Sequence, residues 1–167
     1  MGRFKTWIYR EYTWGEIFFY VPICSVLLGV ATILPVSMAL LLSGVRLTEI
    51  VTPAMQAEPL WLLGLLLVRA PISEEFVFRL LPLGLARERT ESLPILLFVA
   101  GASSIVFGYV HGGWANIPMQ GTVGFGYALV FLKAGGIRGA LIKPFVASIV
   151  AHAAWNFYVF MNLFWRW

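Results

Sequence analysis

The stretch "IFFYVPICSVLLGVATILPVSMALLLSGV", Ile17 to Val45, contains no charged residue. It exceeds the roughly 20 apolar residues that carry a helix across a bilayer, and Pro22 and Pro35 leave room for tilt or kinks. This segment makes lipid, not water, the solvent of the chain. The whole sequence agrees, with 60% hydrophobic and 12% charged residues, whereas a soluble domain has about 45–50% apolar and 25% charged. The run is too long for a signal-peptide core and lacks a small-residue cleavage site, so a retained signal-anchor helix is expected. No repeat, low-complexity tract or linker divides the sequence. A single membrane-embedded domain over 1–167 is expected.

Outward from that span, a second apolar run extends from Pro59 to about Ala86, where "RERTES" (87–92) closes it. Ser92 to Leu132 is uncharged apart from His111 and too long for one crossing. Gly112, Gly113 and Pro118 mark a turn that divides it into a third and a fourth span. Pro144 to Trp165 forms a fifth, with proline suited to a first helical turn and the aromatic, basic "FWRW" suited to an interface. The expected fold is all-α, a polytopic bundle of about five transmembrane helices. Backbone groups in hydrocarbon must be satisfied within their own segment, and no run alternates as a membrane barrel would.

Basic residues give the orientation. Apart from Arg69 and Arg79 within a span, Arg3, Lys5, Arg10, Arg87, Arg89, Lys133, Arg138 and Lys143 fall on one side and Arg46 and Arg166 on the other. The positive-inside rule then places the amino terminus in the cytoplasm and, with five spans, the carboxyl terminus outside. The formal +4 charge is a topology signal, and nucleic-acid binding is not expected. The single cysteine, Cys24, has no intramolecular partner and reads as a small core hydrophobe.

Ionisable groups inside a span cost about 2.5–3.5 kcal/mol each on insertion scales and are functional candidates for that reason. Here they gather: Glu74, Glu75 and Arg79 in the second span, His111 at the end of the third, His152 and Asn156 in the fifth. Glu75 and Arg79, Phe107 and His111, and His152 and Asn156 are each four apart, so each pair shares a helix face. At roughly 1.5 Å per residue from the cytoplasmic ends, Glu74 lies about 18 Å deep, His152 about 12 Å, Asn156 about 18 Å and His111 about 27 Å. Those depths allow one polar site near or above mid-membrane. The bland alternatives are a helical ion pair for Glu75 and Arg79, an interfacial histidine for His111, and interhelical packing for His152 and Asn156. Gly121, Gly124 and Gly126 read as close-packing positions, and Trp114, Trp165 and Trp167 as interfacial anchors.

"EEFVFR" (74–79), "FGYVH" (107–111) and "HAAWN" (152–156) resemble the ordered motifs EExxxR, FxxxH and HxxxN of the CPBP family, also called the Abi or CAAX-protease and bacteriocin-processing family. The resemblance covers about 60–160. It implies an intramembrane endopeptidase acting on a membrane-associated protein or peptide, with processing of C-terminal sorting signals or prepeptides as one substrate class. It also implies Glu74 as the base that activates water, His111 as its partner in holding water or passing a proton, and His152 with Asn156 stabilising the developing oxyanion. Glu75, Arg79 and Phe107 would support the site. No cofactor is the favoured expectation. A divalent metal such as zinc on Glu74, His111 and His152 is the alternative, although the chain has no HExxH pair and no aspartate. A non-enzymatic immunity or scaffold protein is the competing function, and a proton-coupled transporter a third, disfavoured by the lack of an internal repeat. The expected location is a prokaryotic plasma membrane; the sequence leaves the oligomeric state open.

Overall fold

The computed structural model describes residues 2–42 and 59–164, and among these every regular element is helical. A short helix α1 (Gly2–Tyr9) leads into α2 (Trp14–Leu42), which runs on through Pro22 and Pro35. Thr13 and Glu16 start α2 with a reciprocal cap: the Thr13 amide donates to Glu16 Oε2 at 2.8 Å and the Glu16 amide to Thr13 Oγ1 at 3.2 Å. The expected first span corresponds to α2; its last positions, 43–45, lie outside the described residues. Helix α3 (59–89) is a continuous helical run, α4 is Leu93–Val110, α5 is Thr122–Lys133, and α6 is Ile142–Phe164 with Pro144 in its first turn.

Among the described residues, three segments are long and apolar enough to cross a membrane: Trp14–Pro35, Leu93–Val110 and Ile142–Asn162. The expected second span, α3, carries Arg69, Glu74, Glu75 and Arg79, yet it runs antiparallel beside α6. Leu66 meets Asn156, Glu75 meets His152, and Phe76 meets Phe145. The expected fourth span is shorter than its neighbours, because the chain after α4 spends Trp114–Asn116 in a 3-10 turn and Ile117–Gly121 in a π turn before α5 begins. Between α4 and that turn, Gly112 and Gly113 adopt positive φ (143° and 75°), as the sequence punctuation predicts. The chain is an integral membrane protein of the all-α class.

Two packing features depart from the sequence reading. Cys24 is exposed on the outside of α2 and is not a core residue. In a bundle surrounded by lipid, an apolar residue does not have to face inward. Lys133, counted only as a cytoplasmic-side charge, is 2% exposed. Its Nζ donates to Trp7 O at 2.6 Å and Arg10 O at 2.8 Å, and lies 4.3 Å from the Trp7 ring and 4.8 Å from the Tyr12 ring. Lys133 therefore caps the carboxyl end of α1, where helical carbonyls lack partners. Arg138 adds a bond to Tyr9 O, and Arg87 bonds Ile137 O. Two of the basic residues counted on the cytoplasmic side, Lys133 and Arg138, thus fasten the carboxyl end of α1 to the bundle. Replacing Lys133 with Met is expected to lower unfolding stability in detergent by roughly 2 kcal/mol, the value of charge-assisted hydrogen bonds. A loss below about 0.5 kcal/mol, the range of an ordinary surface substitution, would contradict the capping role.

Candidate active site

Glu74 and Glu75 close a short α-helical stretch, Ala70–Glu75, set between two π turns of α3, Leu65–Arg69 and Phe76–Leu80. Each π turn is followed by a proline, Pro71 or Pro82, two residues beyond its end. Proline has no amide to continue the ladder, which makes a widened turn tolerable at these places. One extra residue in a turn rotates everything beyond it by roughly 100° relative to a regular helix. The two π turns therefore decide which side chains of α3 face α6.

Glu75 faces the interior. Its Oε1 accepts a hydrogen bond from His152 Nδ1 at 2.9 Å and lies 3.4 Å from Arg79 Nη1, and both the Glu75 and Arg79 side chains are 0% exposed. Arg79 also donates from Nη2 to Gly124 O at 2.8 Å, and its guanidinium lies 4.4 Å from the Phe107 ring centre and 5.5 Å from that of Tyr127. Gly124 is required for this approach, since a Cβ there would stand 2.6 Å from Arg79 Nη2.

Glu74 points to a different set of partners. Its Oε2 is 3.4 Å from His111 Nε2 and 3.7 Å from His152 Nε2. Glu74 is 25% exposed and His111 29%, against 5% for His152. The two adjacent glutamates thus differ in access: one is sealed against arginine, the other sits at the mouth of the cluster. His111 follows the last turn of α4, where its Nδ1 lies 2.7 Å from Phe107 O and its ring rests 4.3 Å from the Phe107 ring. A carbonyl only accepts, so Nδ1 carries the hydrogen and Nε2 presents a lone pair toward Glu74 when the ring is neutral. Asn116 Nδ2 donates to His111 O at 2.7 Å and holds the turn that presents the ring.

His152 links the two carboxylates, with Nδ1 on Glu75 and Nε2 toward Glu74. Tyr127 stacks on its ring at 4.8 Å between centres, and Phe107 meets it edge-on at 6.0 Å. The structure therefore brings Glu74, Glu75, Arg79, Phe107, His111 and His152 into one network. Asn156, one turn along α6 from His152, is differently engaged: its Nδ2 donates to the backbone carbonyl of Leu66 on α3 at 2.9 Å. Sequence reasoning missed Tyr127, the Gly124 carbonyl and Ser103, whose hydroxyl donates to Phe78 O. A polar side chain opposite a proline-interrupted helix is the signal that would have pointed to Ser103.

The residues of the zinc alternative are Glu74, His111 and His152, with Glu74 Oε2 3.4 and 3.7 Å from the two imidazole Nε2 atoms. Among the described residues, no three His, Cys, Asp or Glu side chains form a group that could hold a metal ion.

The fold and the cluster define a class: a polytopic helical membrane protein with a buried, ionisable carboxylate–imidazole site. Within that class the family follows from the sequence match: residues 56–158, more than half of the chain, match the family of Type II CAAX prenyl endopeptidase Rce1-like proteins. The chain belongs to that family, a CPBP (Abi) group of CAAX-type intramembrane endopeptidases. The matched segment contains the three motifs 74–79, 107–111 and 152–156. No curated protein and no solved structure matches the chain.

Proposed function

We propose that this protein hydrolyses a peptide bond of a membrane-associated protein or peptide, using a water molecule activated by Glu74. The observation that carries this reading is the placing of Glu74 Oε2, a buried atom with no hydrogen-bond partner of its own, 3.4 Å from His111 Nε2 and 3.7 Å from His152 Nε2, on a side chain that is 25% exposed. Two acceptors, the Glu74 carboxylate and the His111 Nε2 lone pair, suit a water that donates one hydrogen to each and keeps an oxygen lone pair free for attack. As that oxygen bonds to the scissile carbonyl carbon, Glu74 takes the proton and the carbonyl oxygen becomes an oxyanion. His152 in its imidazolium form, its Nδ1 hydrogen held by Glu75, directs Nε2–H at that oxyanion. When the C–N bond breaks, the proton held by Glu74 passes to the departing amine, directly or through His111, and the carboxylate is restored. Glu75 and Arg79 touch neither water nor substrate in this scheme; they fix the charge and orientation of His152.

The mechanism uses these side chains alone, in a protein of a prokaryotic plasma membrane whose substrate reaches Glu74 from the bilayer. C-terminal sorting signals and prepeptides are the substrate class in view. The test is cleavage by purified protein in nanodiscs of three probes: a prenylated CAAX peptide, the same peptide without the prenyl group, and a transmembrane peptide with a basic C-terminal tail. At least one probe is expected to be cut, and activity is expected to stay within about twofold after chelation to a measured metal content far below one ion per chain. Binding of a probe without any cleavage would favour a scaffold or immunity role. Activity lost with the metal and regained with zinc would overturn the metal-free scheme.

A further inference from the structure

We propose that Asn156 and Ser103 are positioning residues that hold the glutamate-bearing segment of α3 in place by satisfying two backbone carbonyls flanking it; this rests on the hydrolytic reading of Glu74. The first carbonyl is that of Leu66. The Ala70 amide bonds Leu65 O, one residue further back than in an α-helix, and Pro71 has no amide hydrogen. Leu66 O thus receives neither amide, and Asn156 on α6 donates to it at 2.9 Å. The second carbonyl is that of Phe78. Its α-helical donor would be residue 82, which is proline, and the Leu81 amide bonds Phe76 O. Ser103 on α4 donates to Phe78 O.

Glu74 and Glu75 lie between these two points, and the helices that supply the donors also supply the imidazoles: α6 carries His152, and His111 directly follows α4. In hydrocarbon no water replaces a lost donor. A π turn that loses its outside donor gains by closing to a tighter turn, and closure rotates the following residues by roughly 100°. That motion takes Glu74 out of the space between His111 and His152. Asn156 therefore acts through α3, and its spacing one turn from His152 lets a single face of α6 hold both the imidazole and the helix that bears its carboxylate partners.

The two roles open to Asn156, positioning α3 or contacting the substrate oxyanion, separate in a cycle with Pro71→Ala. Alanine supplies the missing amide, so α3 can satisfy Leu66 O from its own backbone. The protein in nanodiscs is compared as wild type, Asn156→Ala, Pro71→Ala and the double variant, with Glu74→Gln as control. The readouts are amide hydrogen exchange over 64–80 and cleavage of the probe peptides. Asn156→Ala is expected to speed exchange over 64–75 by about tenfold or more and to lower kcat by at least about tenfold with KM little changed. In the Pro71→Ala background the same substitution is expected to change exchange and kcat by less than about threefold, the mark of strong coupling. Ser103→Ala is expected to speed exchange locally over 76–83, which keeps the idea testable if Asn156→Ala does not fold. Unchanged exchange in both Asn156→Ala and Ser103→Ala would overturn the proposal, as would an Asn156→Ala effect equally large with Pro71 or Ala at position 71. Full activity of Glu74→Gln would instead sink the hydrolytic reading, while the exchange comparison still decides the positioning role.

Discussion

Glu74→Gln is expected to lower kcat by about 10³-fold, in the middle of the range for losing a general base, with the protein still folded. Glutamine keeps the shape and the capacity to hydrogen-bond but cannot accept the proton of the attacking water. Glu74 is 25% exposed and its contacts are two imidazoles at 3.4 and 3.7 Å, so its charge is not what holds the bundle together. The thermal midpoint is therefore expected to move by only a few degrees, equivalent to about 1 kcal/mol or less. A variant that keeps more than about a tenth of wild-type kcat would remove Glu74 from the role of base. Parallel loss of fold and activity would mean that this carboxylate is structural.

The adjacent glutamate should behave in the opposite way. Glu75 and Arg79 are both fully buried, and Arg79 has committed its other contacts to Gly124 O and the Phe107 and Tyr127 rings. Removing one partner leaves a buried charge without its counter-ion, which costs about 3–5 kcal/mol, whereas removing both together is often close to neutral. Glu75→Gln and Arg79→Met are each expected to cause a loss of that size in detergent unfolding. The double substitution is expected to be the more stable of the three, although inactive, because His152 loses the carboxylate on Nδ1. Singles that cost less than about 1 kcal/mol would be surface-like and would contradict the sealed pair.

How much of this was legible beforehand depended on what each signal measures. Hydropathy located α2, α4 and α6 because crossing a bilayer demands long apolar runs, and the four-residue spacings paired Glu75 with Arg79 and Phe107 with His111, as found. The same signal could not tell Cys24 to face outward, since lipid and core are equally apolar. It also could not foresee that Lys133 would turn inward, because counting charges for topology takes no account of α1, whose terminal carbonyls it caps. The π turns of α3 were beyond it for a different reason. Pro71 and Pro82 were visible, but the donors to Leu66 O and Phe78 O come from α6 and α4, and nothing local to 59–89 names Asn156 or Ser103. Nor does anything local to Asn156 name the backbone of α3 as the acceptor of its amide.

The central claim is that Glu74 directs water onto a peptide bond inside the bundle. The most direct measurement is mass analysis of a probe peptide incubated with wild-type protein in water enriched in oxygen-18, beside Glu74→Gln at equal folded concentration. Wild type is expected to yield two fragments, with one labelled oxygen in the newly formed carboxylate, and the variant to leave the peptide intact. Bound but uncut peptide with wild type, or equal labelled cleavage by both proteins, would contradict it.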